Sequence, residues 1–197
     1  MAVMMRHDEI VRGTIAATDP QRGFTLVELI VTLAIGAVLM SVAVPPMTEM
    51  LNTQKASVAV NAFFTSLNHA RSEAIKRNAR AVLCKTADGL SCSTAGGWEQ
   101  GWILFHDANN NAALDAGEVV VHQQGPTTQG TRLTGNAPVA DYVSYGPSGS
   151  AKLTSGGFQA GTFTLCLASM SSTAVRRIVL SGTGRARTQK GTASDCL

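Results

Sequence analysis

The chain has little of what a catalytic core or a nucleotide site is built from. Aromatic residues make up only 5% of its 197 positions and charged residues only 15%. It contains neither a Walker loop nor a dinucleotide fingerprint, so the familiar glycine-rich phosphate cradles are absent. Histidine is scarce. Of the four, His7 and His69 fall in an N-terminal leader and a helix, which leaves His106 and His122 as a candidate pair facing each other across a hairpin, a weak metal pair at best. No serine or cysteine stands in a nucleophile's context. The four cysteines include no C-x₂-C pair, which argues against four thiolates on zinc. These absences point away from an enzyme.

What is present suits a small secreted or envelope domain. The length fits one domain plus an appendage, and 19 glycines scattered among Ser, Thr and Asn suit a turn-rich β domain. The formal net charge of +3 is unevenly placed: the last 24 residues hold Arg176, Arg177, Arg185, Arg187 and Lys190 against Asp195 alone. Cys84, Cys92, Cys166 and Cys196 are even in number and all lie downstream of the apolar segment, which points to disulfides in an oxidising compartment. Three pairings can be drawn. Cys84 with Cys92 and Cys166 with Cys196 is preferred, because the first closes a short loop and the second ties down the C-terminus.

Phe24 to Val44 is 21 residues with one charge, Glu28, and Pro45-Pro46 interrupts it. At about 1.5 Å per residue a helix of that length covers the ~30 Å hydrocarbon layer of a membrane. A secretory signal places its small-residue cut after its apolar run. Here a polar leader, Met1 to Gly23, comes first, so a cut after Gly23 leaves the apolar helix on the mature chain. A carboxylate at that depth costs a few kcal/mol unless partnered. The new α-amino group on Phe24 would be such a partner; a Glu28 reaching to the membrane surface is the alternative.

Met47 to Arg80 lacks Gly and Pro, and Val60, Phe63, Leu67, Ala70 and Ala74 recur at spacings of three and four. The spacing predicts an amphipathic helix packed on the following domain, with Lys55, Asn61, Ser72, Lys76 and Arg77 opposite. From Ala81 the period becomes two. Strands are expected at Ala81 to Lys85, Trp98 to His106, Glu118 to Gln123, Tyr142 to Tyr145, Phe163 to Ala168, Val175 to Ser181 and Gly184 to Gln189. The fold class is therefore α+β: a long N-terminal helix packed on a small antiparallel β domain. The expected divisions are a leader at 1–23, an apolar helix at 24–44, its amphipathic continuation at 45–80 and a β domain at 81–197.

Gly23-Phe24-Thr25-Leu26-Val27-Glu28 resembles the prepilin peptidase site of type IV pilins and type II secretion pseudopilins. The run His69 to Arg77, Cys84, the stretch Trp98 to Ile103 and Phe105-x-Asp107 resemble the GspH/FimT/FimU family of H-type pseudopilins and minor pilins. The resemblance implies cleavage by prepilin peptidase after Gly23 and N-methylation of Phe24. It also implies an assembly role for Glu28 against the amine of a neighbouring pilin. It further implies a low-copy subunit anchored once in the bacterial inner membrane, with its β domain in the periplasm or displayed on a filament.

Two further groups invite a ligand. Asp107, Asn109, Asn111, Asp115 and Glu118 fall at positions 1, 3, 5, 9 and 12 of a calcium-type loop, but Ala112 occupies position 6, where that loop needs glycine. The other reading is a polar hairpin connection closed by its own Asn and Asp side chains. Gly184, Arg185 and Arg187, with Lys190, Arg176 and Arg177, place two guanidinium groups on one side of an extended segment, suited to adjacent phosphates. A Gly-Arg-x-Arg element near the C-terminus resembles the DNA-binding motif of FimT-type minor pilins. That implies contact with double-stranded DNA without sequence preference, in natural transformation; a solvated basic edge strand is the alternative. No cofactor other than calcium is expected. The functions left open are a type IV pilus minor pilin, an H-type pseudopilin in protein export, and a membrane-anchored periplasmic binding domain that never polymerises.

Overall fold

The structure, a computed structural model, describes residues 23–167 and 175–196, and within the first helix leaves out the side chains of 42, 44–46, 48 and 49. The leader Met1 to Arg22 lies outside the described residues. Helix α1 runs Leu26–Arg77. Its start is fixed locally: the Thr25 hydroxyl accepts the Glu28 backbone N–H at 3.2 Å, a Thr-x-x-Glu start in which the acid also sits in the positive first turn. Its end is fixed by Lys76 and Arg77 in the last turn and by Asn78 in the left-handed region at φ 49°.

The chain divides into two compact units between Ala43 and Val44. The division falls immediately before Pro45-Pro46, where two backbone N–H donors are missing from the helix ladder. In the N-terminal unit the apolar side chains are exposed along the whole described stretch, from Phe24 at 82% to Met40 at 70%. Among the described residues no helix is long and apolar enough to cross a membrane.

Among the described residues the C-terminal unit holds the second part of α1 and eight strands in two four-stranded antiparallel sheets. The first sheet orders β3 (Val120–Gln124), β2 (Trp102–His106), β1 (Ala81–Lys85) and β5 (Tyr142–Tyr145). The second orders β4 (Thr131–Gly135), β6 (Gly161–Leu167), β7 (Arg176–Leu180) and β8 (Ala186–Lys190). Helix residues Ala56, Ala59, Val60, Phe63, Leu67, Ala70 and Ala74 are buried, while Lys55, Asn61, Ser72, Lys76 and Arg77 are exposed, so the predicted stripe is the packing face. Phe63 is its centre, with ring centroids 5.0 Å from Trp98, 5.0 Å from Trp102 and 4.7 Å from Phe163, all edge-on. Alanines at 56, 59, 70 and 74 let the sheets approach the helix closely. Val82, Cys84, Ile103 and Phe105 form a second, smaller core on the other face of the first sheet.

Three expectations need correction. Trp98–Gln100 is a 3₁₀ turn, not strand, and β2 begins at Trp102. The turn sinks the Trp98 ring into the core, its indole N–H donating to Val139 O at 3.1 Å. Strand β4 has no counterpart in the expected set, because Thr-Arg-Leu-Thr-Gly holds one large apolar residue and offers almost no alternation to read. Finally, His106 and His122 do not face each other. In the register of β2 with β3 His122 lies opposite Leu104, two positions from His106 along β2.

Candidate functional site

At the N-terminus, Gly23 and Phe24 precede α1 in extended, exposed chain, and Glu28 stands exposed in its first turn. A peptidase and a methylating enzyme could both reach this segment. The Thr25 hydroxyl caps the helix at the backbone N–H of residue 28, so what the Glu28 side chain itself adds locally is a negative charge in the first turn.

The C-terminal basic group is held by a tight turn between β7 and β8. Ser181 N–H donates to Arg185 O at 3.0 Å and Gly184 N–H to Ser181 O at 2.8 Å. Gly184 takes φ +80°, and a Cβ there would stand 1.9 Å from Gly149 O, so only glycine fits. Arg71, from α1, donates from Nε to Gly149 O at 2.9 Å and from a terminal nitrogen to Thr183 O at 3.4 Å. The helix thereby fixes both the turn and the loop it leans on. Beyond the turn, Ala186 is buried while Arg185, just before the edge strand β8, and Arg187, within it, are exposed. Among the described residues Arg185, Arg187 and Lys190 take part in no ion pair.

The two preceding arginines differ. Arg177 lies 3.5 Å from Asp195 and is half-buried, and Arg176 donates to Val175 O at 3.1 Å. Arg176 is paired with Lys190 in the ladder, on the opposite side of the sheet from Arg187 and Gln189. The structure therefore separates the six expected anion-binding residues: Arg185 and Arg187 form an open pair, Gly184 sets their turn, and Arg177 is committed to the C-terminal segment. Asp195 is held below the usual carboxylate range by the Thr192 N–H and hydroxyl it accepts, with Arg177 adding to them.

The Asp-rich loop closes on itself. Asp107 accepts the N–H groups of Asn110 and Asn111 on one oxygen and of Ala112 on the other. Asp115 accepts the amides of Asn109 and Asn111, each at 2.7 Å, and Glu118 accepts the N–H of Ala108 and of Asp115. Ala112, in the glycine position, adopts φ 58°. Every carboxylate of the expected calcium set is thus engaged by donors of the loop. Among the described residues no group of three or more His, Cys, Asp or Glu is arranged to hold a metal.

The histidines gather elsewhere. His122 stands with its ring 5.8 Å from His69, and His106 with Nε2 3.7 Å from the buried Glu73 carboxylate. Burial raises the pKa of Glu73, but Lys76, Arg77 and His69 outweigh it and hold the carboxyl below its ordinary value. Two disulfides close the loops around these elements. Cys84 bonds Cys92, and Cys166 bonds Cys196. Among residues the sequence did not single out, Lys85 is buried and bonds Asp141 at 2.8 Å and Gly96 O at 2.9 Å, which secures the loop that the first disulfide closes.

The family described as Type II transport protein GspH matches residues 59–184, and the prokaryotic N-terminal methylation motif matches residues 19–44. The pilin-like protein PilA1 of Thermus thermophilus is 32% identical over 175 residues, covering 85% of this chain and 97% of its own. The type IV minor pilin FimU of Pseudomonas aeruginosa superposes with a TM-score of 0.49 at 19% identity, over 76% of this chain and 95% of that one. The minor pseudopilin EpsH of the Vibrio cholerae type 2 secretion system does so with a TM-score of 0.47 at 13% identity, over 69% and 97%.

Proposed function

Because the chain belongs to the GspH family of pilin and pseudopilin subunits, which are structural proteins and not enzymes, we propose that it is a low-copy minor subunit of a type IV pilus-type filament. The observation that carries this reading is the apolar surface of the N-terminal unit. Side chains such as Leu26, Ile30, Leu33, Val38 and Leu39 are more than half exposed within the protomer. Each is worth about 1.5–3 kcal/mol when removed from water, so the segment has to be covered, first by lipid and then by the helices of neighbouring pilins. Prepilin peptidase cuts after Gly23, Phe24 is methylated on its new amine, and Glu28 meets that amine on a neighbouring subunit. Phe24 to Val44 is the single inner-membrane anchor before assembly, the helix continues from 45 to Arg77, and 81–197 faces the periplasm or the outside.

The test uses the full chain expressed with its own filament system. Mass spectrometry of the mature N-terminus should give methylated Phe24, and Glu28→Ala should leave the protein processed and membrane-bound but absent from sheared filaments. Normal incorporation of Glu28→Ala would instead favour a non-polymerising periplasmic domain. Protein export lost on deletion, with pilus functions intact, would move the subunit to a type II secretion filament.

A second activity is favoured by the open pair Arg185 and Arg187, which has no acidic partner among the described residues. On this reading the pair holds adjacent DNA phosphates on a displayed edge strand, without reading sequence and with a strong dependence on salt. Gel shift of the full chain in detergent, against an Arg185→Ala/Arg187→Ala variant, tests it. Unchanged affinity in the variant would remove the activity. Calcium is the weaker reading of the Asp-rich loop, since its carboxylates already close the turn through N–H donors.

A further inference from the structure

We propose that Phe158 is a base-stacking platform beside the Arg185 and Arg187 pair, which makes this edge a site for single-stranded nucleic acid or for unpaired ends of a duplex. The inference rests on the phosphate-binding reading of the arginines and names the form of nucleic acid they would hold.

Of the aromatic side chains in the C-terminal unit, Phe158 alone is exposed, at 72%. Trp98, Trp102, Tyr145, Phe63, Phe105 and Phe163 are fully buried, and in a chain so poor in aromatics an outward phenylalanine stands apart. It is also held firmly. Lys152 and Phe158 bridge each other, Leu153 N–H donates to Gly157 O at 2.8 Å, and Gln159 N–H donates to Ala151 O at 2.9 Å. That hairpin is joined to the basic turn by the Ala151 N–H, which donates to Gly182 O at 3.2 Å.

The junction is built for the ring. A Cβ on residue 182 would lie 3.0 Å from Phe158 Cβ and 3.3 and 3.4 Å from two of its ring carbons. Glycine at 182 therefore lets the phenylalanine rest one side on the β7–β8 turn and leave the rest open. The turn from Ser181 to Gly184 spans less than about 7 Å between its end Cα atoms, so Arg185 follows within one turn of the ring's support. An exposed aromatic ring leaning on the turn that leads into two arginines offers the combination that single strands recognise: phosphates on the cations, a base on the ring. A duplex offers its phosphates but keeps its bases stacked, so it gains nothing from Phe158.

The experiment uses the full chain in detergent and fluorescein-labelled DNA oligonucleotides of mixed sequence, single-stranded and duplex, at low and moderate salt. Phe158→Ala should weaken single-strand binding about 5- to 140-fold, the range for one stacked base, and change duplex binding less than about twofold. Phe158→Trp should restore single-strand binding. Equal affinity of wild type and Phe158→Ala for single strands overturns the inference, and if Arg185→Ala/Arg187→Ala still weakens both forms, the phosphate reading survives without it. If the arginine variant binds like wild type, or wild type binds neither form, the underlying reading falls and the inference with it. Unchanged single-strand binding with lost filament incorporation in Phe158→Ala overturns the inference and assigns the ring to a subunit contact.

Discussion

Removing the two disulfides one at a time separates chain entropy from packing as the reason they stabilise this fold. Cys166–Cys196 closes 30 residues and Cys84–Cys92 closes 8. The loop-closure relation gives about 3.6 kcal/mol for the longer and about 2.5 kcal/mol for the shorter. For a domain of this size each kcal/mol moves the melting temperature by about 2–4 °C, so Cys166→Ser/Cys196→Ser should lower it by roughly 7–14 °C and Cys84→Ser/Cys92→Ser by roughly 5–10 °C. The longer link also holds the 3₁₀ turn Ala193–Cys196 and brings Asp195 to Arg177. Its loss should therefore increase protease cleavage after the basic residues of β8, whereas loss of the shorter link should not. Circular dichroism melts of the full chain in detergent, with limited trypsin digestion, make the comparison. A larger penalty for the 8-residue loop would refute the entropic argument and put the weight on how Cys84 packs with Val82, Ile103 and Phe105.

Phe63→Ala should cost about 3–5 kcal/mol, the range for emptying a large aromatic from a core, and should shift the emission of Trp98 and Trp102, whose rings it touches; a chemical-denaturation curve and tryptophan fluorescence read both. Glu73 contributes stability through a lowered folded pKa. That contribution is complete above its ordinary value of 4.5 and is lost as pH falls through the lower folded value. The melting temperature of Glu73→Gln should accordingly drop less than that of wild type on acidification below about pH 4.5. Equal slopes would show that the carboxylate is not what acid titrates. Calorimetry at millimolar calcium should give no heat beyond a chelator control, and a measurable heat lost in Asp107→Asn would restore the calcium reading of the loop.

The legible parts of this fold are those where one period dominates a long stretch. The stripe Val60, Phe63, Leu67, Ala70, Ala74 survives as the packing face because a helix has one side to bury and five apolar positions in register leave no choice. Strands β1, β2, β5, β6 and β7 carry enough large apolar residues to be found. Strand β4 does not, since Arg132 and the threonines are set by their place at the edge of the second sheet, and Leu133 N–H finds its acceptor on the Glu99 side chain at 2.8 Å. The approach of His106 to Glu73, in place of His122, depends on the strand register, which pairs His122 with Leu104, and on how α1 packs on the sheet, neither of which a sequence pattern displays. At the candidate site Arg185 and Arg187 could be found from their spacing. Phe158 could not, because its significance lies in Gly182, a residue 24 positions away that makes room for it.

The two units of this chain solve opposite problems, and that explains where its order comes from. In the N-terminal unit the apolar side chains are exposed along the described stretch, and on the proposed reading their cover comes from lipid and from other subunits. The C-terminal unit has a core of its own, spent on the helix–sheet interface around Phe63. Little apolar surface is left for the loops on the far side of the sheets. The loop after β1 is held by Cys84–Cys92 and by the Lys85 bond to Asp141, the C-terminus by Cys166–Cys196, and the Asp-rich loop by its own carboxylates. Covalent and polar closure of this kind fixes surface loops without requiring them to be apolar. Arg185, Arg187 and Phe158 lie outside these closed loops, exposed around the β7–β8 turn on which the Phe158 side chain leans through Gly182.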